Sequence, residues 1–399
     1  MNFWGKCPFG HSIFDDLGFS VVDLPDGGMQ IGGILFDYHE VYLPEGDVMV
    51  IREDGYVSPP TPFIVSEDFR VYHLTDNIKD MLIIMRDNIV LDGGFYTVRG
   101  VDCHYGRVNV TIEKLRMTGS PIGICLNHPH NVTMRHNIID ENEIGIHIGV
   151  AYSIFNPVHY SAFIYDNNFT CNSVGVEIVQ FDFHDDTDYS GDYIISRNNF
   201  TLNGCGISGA TGSYTIIENY FRDNKNALHV SGTSATISRN TIIDCDGGIN
   251  GYFYSFVTCE GNYITNADTC VEIRAIYNGT ISRNNLFNCK NGIVSTFGEH
   301  LNITGNKVLN CDYAVLVRQG TANIMGNEIA ARVCGICLPA QPHTEPPYWG
   351  VSGWRIINNT VDGAEYGIYA GGNLFNGEIR ACYIANCYYG IYVNKNWVS

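Results

Sequence analysis

Cationic side chains are scarce in this sequence. Its 399 residues include 23 Lys and Arg against 42 Asp and Glu, which gives a formal net charge of −19 at pH 7. A surface of that charge repels the phosphate backbone of nucleic acids and anionic membranes, so we exclude both as partners. Only 16% of the residues are charged. Most of the surface must therefore consist of uncharged polar residues such as Asn, Ser and Thr.

Long apolar runs are also missing. No stretch approaches the roughly 18 consecutive apolar residues of a membrane span. The first residues, MNFWGKCPFGHSIF, lack the apolar segment of a secretion signal, so no signal peptide is visible in this chain. Asn-x-Ser/Thr sequons nevertheless suit a secreted glycoprotein, although an Asn- and Thr-rich repeat also creates sequons by chance. The candidate glycosylation sites are Asn109, Asn131, Asn168, Asn199, Asn278, Asn302 and Asn358.

Helical periodicity is the third absence, and a different repeat takes its place. One column of positions, spaced mostly 21 or 22 residues apart, contains ten Asn. An aliphatic residue usually stands three positions before it, a small residue (mostly Gly) eight positions after it, and another aliphatic residue nine positions after it. The members of the column are Leu115, Asn137, Asn167, Asn198, Asn219, Asn240, Asn262, Asn284, Asn306, Asn327, Asn359 and Cys382.

This period fits one coil of a parallel β-helix, in which three short strands each pair with their copies in the next coil, ~4.8 Å along the axis. We therefore predict an all-β fold: a right-handed parallel β-helix (a solenoid) of about 12 turns of 21–22 residues, over residues 81–399. Residues 1–80 show no repeat and should form an N-terminal cap or assembly segment. We expect the Gly column to adopt positive φ and the Asn column to occupy left-handed turn positions, with its amides bonded to the backbone.

The columns support a resemblance. Their Asn-x-Ile/Phe and Gly-Ile-x-Ile elements resemble the right-handed β-helix repeats of carbohydrate-binding and sugar-hydrolase modules, and most closely the NosD-type repeat proteins. The runs 51–62, 72–78 and 86–94 are similar to the opening of large archaeal secreted surface β-helix proteins. The resemblance spans residues 49–393 and implies the fold and a cell-surface or extracellular location. It does not select one activity, because this fold hosts many.

Three turns are longer than the rest. Their extra residues, at 149–161, 180–192 and 339–353, all enter after the Gly-Ile-x-Ile strand, so they should project from one edge of the rod. The first two insertions combine aromatic and acidic residues, which predicts a glycan-binding or ion-binding patch. A solvated loop without a ligand is the other interpretation. The predicted patch residues are Tyr152, His159, Tyr160, Asp182, His184, Asp185, Asp186, Asp188 and Tyr189.

The sequence predicts no transition-metal site. Cys334 and Cys337 have C-x-x-C spacing but lack a second pair of ligands nearby, so we expect buried thiols. Among cofactors, Ca²⁺ alone fits the acids of the insertions, because it prefers six to eight oxygen ligands. The residues just before the Asn column alternate in sign, as in Asp166, Arg197 and Glu218, which favours salt bridges between coils.

Fourteen cysteines are present, and their columns matter more than their number. Cys289 and Cys311 both lie five residues after consecutive column positions, so they should stand ~5 Å apart, within disulfide range. We predict that this pair is the best candidate bridge. Cys259 replaces Ile in a core column and should be a buried free thiol.

Together these features predict an extracellular surface, structural or adhesion protein that binds a carbohydrate or another cell-surface component. The bare final coil, 382–393, has three explanations: truncation of a longer protein, coverage by a folded-back segment, or head-to-tail contact with residues 1–48 of a second copy, which would build a filament. The alternative is a carbohydrate-active enzyme: a polysaccharide lyase, hydrolase or epimerase. Such enzymes need acids and bases on one face, and the sequence identifies no catalytic residue. The acid-containing motif of alginate epimerases is absent, since Asn127-His128-Pro129-His130 carries no acid.

Overall fold

A computed structural model describes residues 21–23, 29–31, 48–151, 160–181, 191–210, 212–274, 277–296, 298–339, 351–371 and 374–394. These residues form strands and turns, with no helix among them. The strands wind into a right-handed parallel β-helix of about 13 turns, which confirms the predicted fold. Each coil contributes to three sheets, and each strand pairs in parallel with its copy in the next coil.

The first sheet precedes the Asn column. Its strands are Val71–Leu74, Ile89–Asp92, Val110–Glu113, Val132–Arg135, Ser161–Tyr165, Asp192–Ser196, Ser213–Ile217, the second halves of Asn226–Ser238 and Gly247–Glu260, then Asn278–Ser282, Gly298–Thr304, Gly320–Met325, Val351–Ser352, Arg355–Ile357, Leu374–Phe375 and Glu378–Arg380.

The second sheet follows the Asn column with mostly three-residue strands. They are the start of Thr97–Cys103, then Arg116–Thr118, Ile138–Asp140, Asn168–Thr170, Asn199–Thr201, Tyr220–Arg222, Thr241–Ile243, Tyr263–Thr265, Asn285–Phe287, the first parts of Lys307–Val317 and Glu328–Leu338, Thr360–Asp362 and Tyr383–Ala385.

The third sheet contains the Gly-Ile-x-Ile elements. Its strands are Val48–Ile51, Ile78–Ile84, the end of Thr97–Cys103, Ile122–Asn127, Ile144–Ala151, Val174–Phe181, Cys205–Gly209, the first halves of Asn226–Ser238 and Gly247–Glu260, then Thr269–Arg274, Asn291–Thr296, the ends of Lys307–Val317 and Glu328–Leu338, Tyr366–Gly371 and Tyr389–Asn394.

The parallel ladder begins earlier than the repeat alone indicates. Val48–Ile51 pairs with Met81–Ile84 in parallel register, so part of the predicted cap already belongs to the third sheet. Short antiparallel strands flank this opening: Val57–Ser58 pairs with Val48–Ile51, and Ile64–Val65 pairs with Val71–Leu74. Val21–Asp23 and Met29–Ile31 pair with each other. Most of the predicted assembly segment 1–48 lies outside the described residues.

Identical side chains stack inside the rod and form its core. Phe169, Phe200 and Phe221 lie in consecutive coils with ring centroids 4.6 and 4.8 Å apart and nearly parallel rings. All three are fully buried. A parallel sheet repeats every side chain at the strand spacing, so one aromatic position produces a continuous stack.

The Asn column forms a buried ladder at the corner between the first and second sheets. The oxygen of Asn167 accepts the backbone N–H and the side-chain N–H of Asn137, at 2.9 and 3.0 Å, and the amide of Asn167 donates onward to Asn198. The amide bonding is as predicted, but the left-handed conformation is not on the Asn. It belongs to the preceding residue, such as Asp166 with φ 57° or Arg197 with φ 54°. The turn there directs the following Asn into the interior.

A second, shorter Asn ladder occupies the next corner. Asn142, Asn172, Asn203 and Asn224 are buried and bond to one another in the same way, for example from the Nδ2 of Asn172 to the Oδ1 of Asn203 at 3.0 Å. Again the preceding residue has positive φ, as at Cys171 and Leu202. Two buried amide corners therefore hold the shape of these four coils.

The glycines of the Gly column do not have the backbone conformation that the sequence predicts. Its members, such as Gly145 and Gly175, do not have positive φ. A Cβ added at Gly145 would lie 2.5 Å from the carbonyl oxygen of Gly175 in the next coil, and one at Gly175 would lie 2.6 Å from the carbonyl oxygen of Gly206. Close approach of successive backbones therefore selects glycine here.

The predicted Cys289–Cys311 disulfide is wrong. Cys289 is bonded to Cys270, with a Cα–Cα distance of 6.1 Å, and Cys311 is a buried free thiol. Cys270 stands in the Gly column of the preceding coil, so the bridge crosses the corner between two columns instead of following one. Cys259 is a fully buried free thiol, as predicted, and Cys334 and Cys337 are buried free thiols as well.

The final described coil is open on one side. Ile391 is 52% exposed and Val393 is 51% exposed, whereas their partners one coil earlier, Ile368 and Ala370, are fully buried. Their apolar side chains point towards the axis but have no succeeding coil among the described residues to pack against.

Candidate functional site

The outer face of the third sheet carries a continuous column of residues, one from each coil. Members of this outer column alternate with inward-facing residues, which are aliphatic in most strands, so their side chains point away from the core. Its members pair in register from one coil to the next. They are Asp102, Cys125, His147, Glu177, Ser208, His229, Asn250, Glu272, Val294, Leu316, Cys337, Tyr369 and Tyr392.

The N-terminal part of the outer column is polar. His147 and Glu177 form a pair one coil apart, with 2.8 Å between Nδ1 and Oε2, and their side chains are about a quarter exposed (22% and 27%). The bond uses one carboxylate oxygen of Glu177. The other oxygen, Oε1, has no hydrogen-bond partner among the described residues, which leaves an acceptor on the surface.

Arg274 lies at the C-terminal end of the polar region, two residues after Glu272 in the strand Thr269–Arg274. Its Nε donates to Oε1 of Glu272 at 2.7 Å, and its Nη2 donates to the same oxygen. Its Nη1 donates to the hydroxyl of Tyr252 one coil earlier, and its guanidinium lies 5.1 Å above the Tyr252 ring. These contacts hold the guanidinium against the sheet. Within the described part of the chain, Oε2 of Glu272 has no partner.

His229 lies between these two pairs. His229 is exposed, but partial desolvation of its imidazole and the nearby charge of Arg274 lower its pKa, which disfavours the charged ring. Its ring centroid is 6.1 Å from that of Tyr252. The enclosed Oδ1 of Asn250 and Oγ1 of Thr296 have no hydrogen-bond partner among the described residues. Such enclosed polar atoms are groups that an ordered water or a ligand can satisfy.

Asp102 lies at the N-terminal end of the outer column. Burial raises the pKa of its carboxyl to about 6, and its Oδ1 is enclosed without a partner in the described part of the chain. An acid with such a pKa exchanges protons near neutrality and is characteristic of functional sites. Its neighbour in the column, Cys125, accepts a weak hydrogen bond from Asn127 at 3.7 Å.

The C-terminal part of the outer column is apolar. Val294, Leu316 and Cys337 are buried there with Cys334, in a cluster separate from the main core, and partly buried Tyr313, Val333, Tyr366 and Tyr369 pack around it. Tyrosines in successive coils stack on each other, with 5.0 Å between the centroids of Tyr366 and Tyr389. Among the described members of the outer column, the charged and amide side chains thus lie between Asp102 and Glu272.

Most of the patch predicted on the insertions cannot be placed. Tyr152, His159, Asp182, His184, Asp185, Asp186, Asp188 and Tyr189 lie outside the described residues. Tyr160 is described, and its ring packs on the imidazoles of His128 and His130 at 5.2 and 5.1 Å. The strands that lead into the first two insertions end in register, since Ala151 pairs with Phe181. Both insertions therefore leave the third sheet at the same position, as predicted.

The candidate glycosylation sites differ in their hydrogen bonding. The Nδ2 groups of Asn109, Asn131 and Asn199 donate to Asn88, Asn109 and Asn168 respectively. Asn168 and Asn302 accept from Asn199 and Asn323. Asn278 and Asn358 are exposed, and no described residue bonds to their side-chain amides.

The alternating charges before the Asn column do form ion pairs between coils. Arg197 donates to both oxygens of Asp166 at 2.8 Å, and Arg239 donates to Glu218 at 2.9 Å. These contacts confirm the structural interpretation of that column.

The described residues show neither a metal-binding cluster nor a membrane-spanning helix. They contain no group of three or more His, Cys, Asp or Glu side chains that could hold a metal ion. No helix among them is long and apolar enough to cross a lipid bilayer. The acids expected to bind Ca²⁺ belong to the insertions, so that expectation stays a prediction.

The outer column is not predicted by the sequence repeat, because the repeat consists of residues that recur in every coil. Core positions recur because every coil must fill the same interior. The outer column varies between His, Glu, Ser and Asn, so it produces no repeat. Its position within the repeat is the signal that could have identified it. Each member directly follows the aliphatic residue of the Gly-Ile-x-Ile element, as His147 follows Ile146.

Comparison with known proteins agrees with this architecture. Residues 186–330 match the family model described as "Right handed beta helix region". Among curated proteins no match was found.

Solved structures with a similar fold include the A-module of the mannuronan C-5 epimerase AlgE6 from Azotobacter vinelandii, at 12% identity and a TM-score of 0.42, covering 76% of this chain and 90% of that one. The periplasmic alginate epimerase AlgG is similar at 12% identity and a TM-score of 0.33, with 82% and 81% coverage. Tailspike protein 3 of bacteriophage CBA120 is similar at 11% identity and a TM-score of 0.27, with 79% and 55% coverage. At these identities the likeness concerns the fold alone.

Proposed function

We propose that this right-handed β-helix repeat protein is an extracellular or cell-surface protein that binds carbohydrate along the polar outer face of its third sheet. We define that polar outer face as His147, Glu177, Ser208, His229, Asn250, Glu272, Tyr252, Arg274 and Thr296. The observation that carries the proposal is the run of polar side chains at one position of successive coils.

The chemistry of this face suits sugars. Its side chains offer carboxylate acceptors, amide and hydroxyl groups, and an imidazole that both donates and accepts when uncharged. Sugar hydroxyl groups need both donors and acceptors at short intervals. From His147 to Glu272 there are five steps between coils, which is ~24 Å at the strand spacing. A linear glycan of several residues fits along that length.

A glycan array probed with the full chain tests the proposal. We expect binding that falls at least tenfold in Asn250→Ala and in Tyr252→Ala, because each variant removes polar groups from the polar outer face. Arg239→Gln changes an exposed charge on another side of the rod and should bind like the parent protein. Equal binding by all the variants, or no binding to any glycan, would refute the proposal.

A carbohydrate-active enzyme is the second candidate, and His229 favours it. Its uncharged imidazole can act as a general base at neutral pH, and the Tyr252 phenol beside it can transfer a proton. A turnover screen with polysaccharides separates the two functions. Product formation that is lost in His229→Gln with binding retained would establish catalysis, and binding without turnover would exclude it for the glycans screened.

A further inference from the structure

We infer that the glycan bound by the polar outer face is uncharged, without carboxylate, sulfate or phosphate groups. This inference rests on the proposed function and names its ligand class. It follows from how the charges on this face are paired.

The cations of the polar outer face are already neutralised by its own acids. Two N–H groups of Arg274 donate to Glu272, and the third contact goes to Tyr252. His147 is paired with Glu177 at 2.8 Å. Partial desolvation and the charge of Arg274 lower the pKa of His229, which disfavours its cationic form. An incoming carboxylate would therefore lose its hydration without gaining a free cation, which is unfavourable.

The acids, in contrast, retain free acceptors. In both Glu177 and Glu272 only one carboxylate oxygen is bonded, and the other has no partner within the described ranges. A sugar hydroxyl can donate to such an oxygen in a charge-assisted hydrogen bond. A carboxylate or sulfate has no proton to donate and would meet the two glutamates as a like charge.

Three exposed cations beside the third sheet, within or beyond the coils of the polar outer face, have no ion pair among the described residues. Lys225 and Lys290 each directly precede a third-sheet strand, and Arg318 directly follows the strand Lys307–Val317. Arg318 lies two coils beyond Arg274, ~10 Å away along the axis. Solvated surface cations of this kind each contribute little to binding a polyanion.

The neighbouring segments of the chain add no cation either. Residues 152–159, 182–190 and 340–350 follow third-sheet strands in the sequence and contain no Lys or Arg. Their acids are Asp182, Asp185, Asp186, Asp188 and Glu345. Together with the net charge of −19, this composition repels polyanions at long range.

The test compares matched ligands with the full chain. Neutral oligosaccharides that bind on the array are paired with the same oligosaccharides oxidised at C6 to carboxylates, and both affinities are measured by calorimetry at low and high salt. We expect the neutral form to bind at least tenfold more tightly, with an affinity that salt leaves unchanged. Tighter binding of the oxidised form would overturn the inference and leave the proposed function standing. If no oligosaccharide binds, the proposed function itself fails.

A charge variant sharpens the test. Glu272→Gln removes the acid that neutralises Arg274, so affinity for the oxidised ligand should rise about tenfold. Glu260→Gln is the matched control, because it also removes the partner of an arginine, Arg283 at 3.2 Å, but on the first sheet. It should leave both affinities unchanged. An equal response to the two substitutions would show that overall charge, and not pairing on the polar outer face, decides which ligand binds.

Discussion

Asn262 accepts two hydrogen bonds from Asn240 through one amide oxygen, at 2.9 Å from the backbone nitrogen and 3.0 Å from the side-chain nitrogen. The Nδ2 of Asn262 donates in turn to the carbonyl of Ile237 and to Asn284. Every buried polar group of this corner therefore depends on an asparagine in the adjacent coil. No other residue type supplies a short acceptor and a donor on one planar group.

Asn262→Ala should destabilise the protein by about 3 kcal/mol, because it removes the acceptor of the Asn240 backbone N–H and of one Asn240 side-chain N–H, and the side-chain donor to the carbonyl of Ile237. Urea unfolding followed by circular dichroism measures the change. Asn323→Ala is the control, since it removes one hydrogen bond to Asn302 on the half-exposed outer surface and should change stability by less than about 0.5 kcal/mol. Similar losses in the two variants would contradict the role of the ladder.

Gly367 and Gly390 occupy the same column in the last two coils and should respond differently to alanine. A Cβ at Gly367 would lie 2.6 Å from the carbonyl oxygen of Gly390, whereas one at Gly390 would have no atom within 4 Å. We expect Gly367→Ala to cost about 1–3 kcal/mol and Gly390→Ala to be neutral or slightly stabilising, as measured by thermal unfolding.

The Gly390 variant also tests the predicted head-to-tail contact. If a second copy packs on the final coil, Gly390→Ala should weaken self-association at high concentration, as seen by light scattering. A monomeric protein at all concentrations would remove the filament hypothesis.

Asp102→Asn should stabilise the protein at neutral pH. Burial raises the folded-state pKa from 3.8 to about 6, so ionisation of this carboxyl opposes folding. The penalty is absent below about pH 4, grows between the two pKa values and is complete above the folded one. The variant should therefore gain about 1–3 kcal/mol at pH 7.5 and nothing at pH 4.

Asp166→Asn is the control of opposite sign. The hydrogen bonds from Arg197 lower the pKa of Asp166, so its ionised form stabilises the fold. That contribution is present at neutral pH and is lost as the pH falls through the folded pKa. The substitution should therefore reduce stability at pH 7.5. Equal pH profiles for the two variants would show that Asp102 is solvated like an ordinary surface acid.

Glycosylation should be selective among the seven sequons. The glycan attaches to the side-chain nitrogen, so we expect it at sites where that nitrogen is exposed and attachment breaks no hydrogen bond. Asn278 and Asn358 meet both conditions within the described residues, whereas the amides of Asn109, Asn131 and Asn199 donate to neighbouring asparagines. Expression in a glycosylating secretory host, followed by peptide mapping, should find glycan at Asn278 and Asn358. Occupancy at Asn199 would contradict this assignment.

The sequence predicted the fold because the core imposes the same demand on every coil. Ile112 and Met134, or Phe169 and Phe200, pair in register where the repeat placed them. The second Asn ladder was equally visible, since Asn142, Asn172, Asn203 and Asn224 each stand five residues after an Asn of the first ladder. Its column is less apparent in the sequence because later members of the same column are Cys245, Cys289 and Cys311.

The disulfide and the candidate site could not be predicted from the sequence repeat. The spacing places only residues of one column side by side, whereas Cys270 and Cys289 meet across a corner between columns. The repeat also does not indicate which solvent-facing column forms the candidate site, because that depends on contacts between particular side chains. The contact of Arg274 with Glu272, two residues away, and with Tyr252, one coil away, has no counterpart among the described residues of the other coils.

The in-register pairing of the polar outer face gives it a fixed spacing along the axis. Its side chains repeat at one coil per step, ~4.8 Å. The Asn ladder at the first corner, joined in the coils of His147 to His229 by the second ladder, opposes slippage between coils. A polymer whose own repeat is commensurate with that step can present the same hydroxyl to each successive coil. A polymer with a different repeat drifts out of phase within a few units, so this surface would distinguish polysaccharides by the period of their linkage as well as by the chemistry of their sugars.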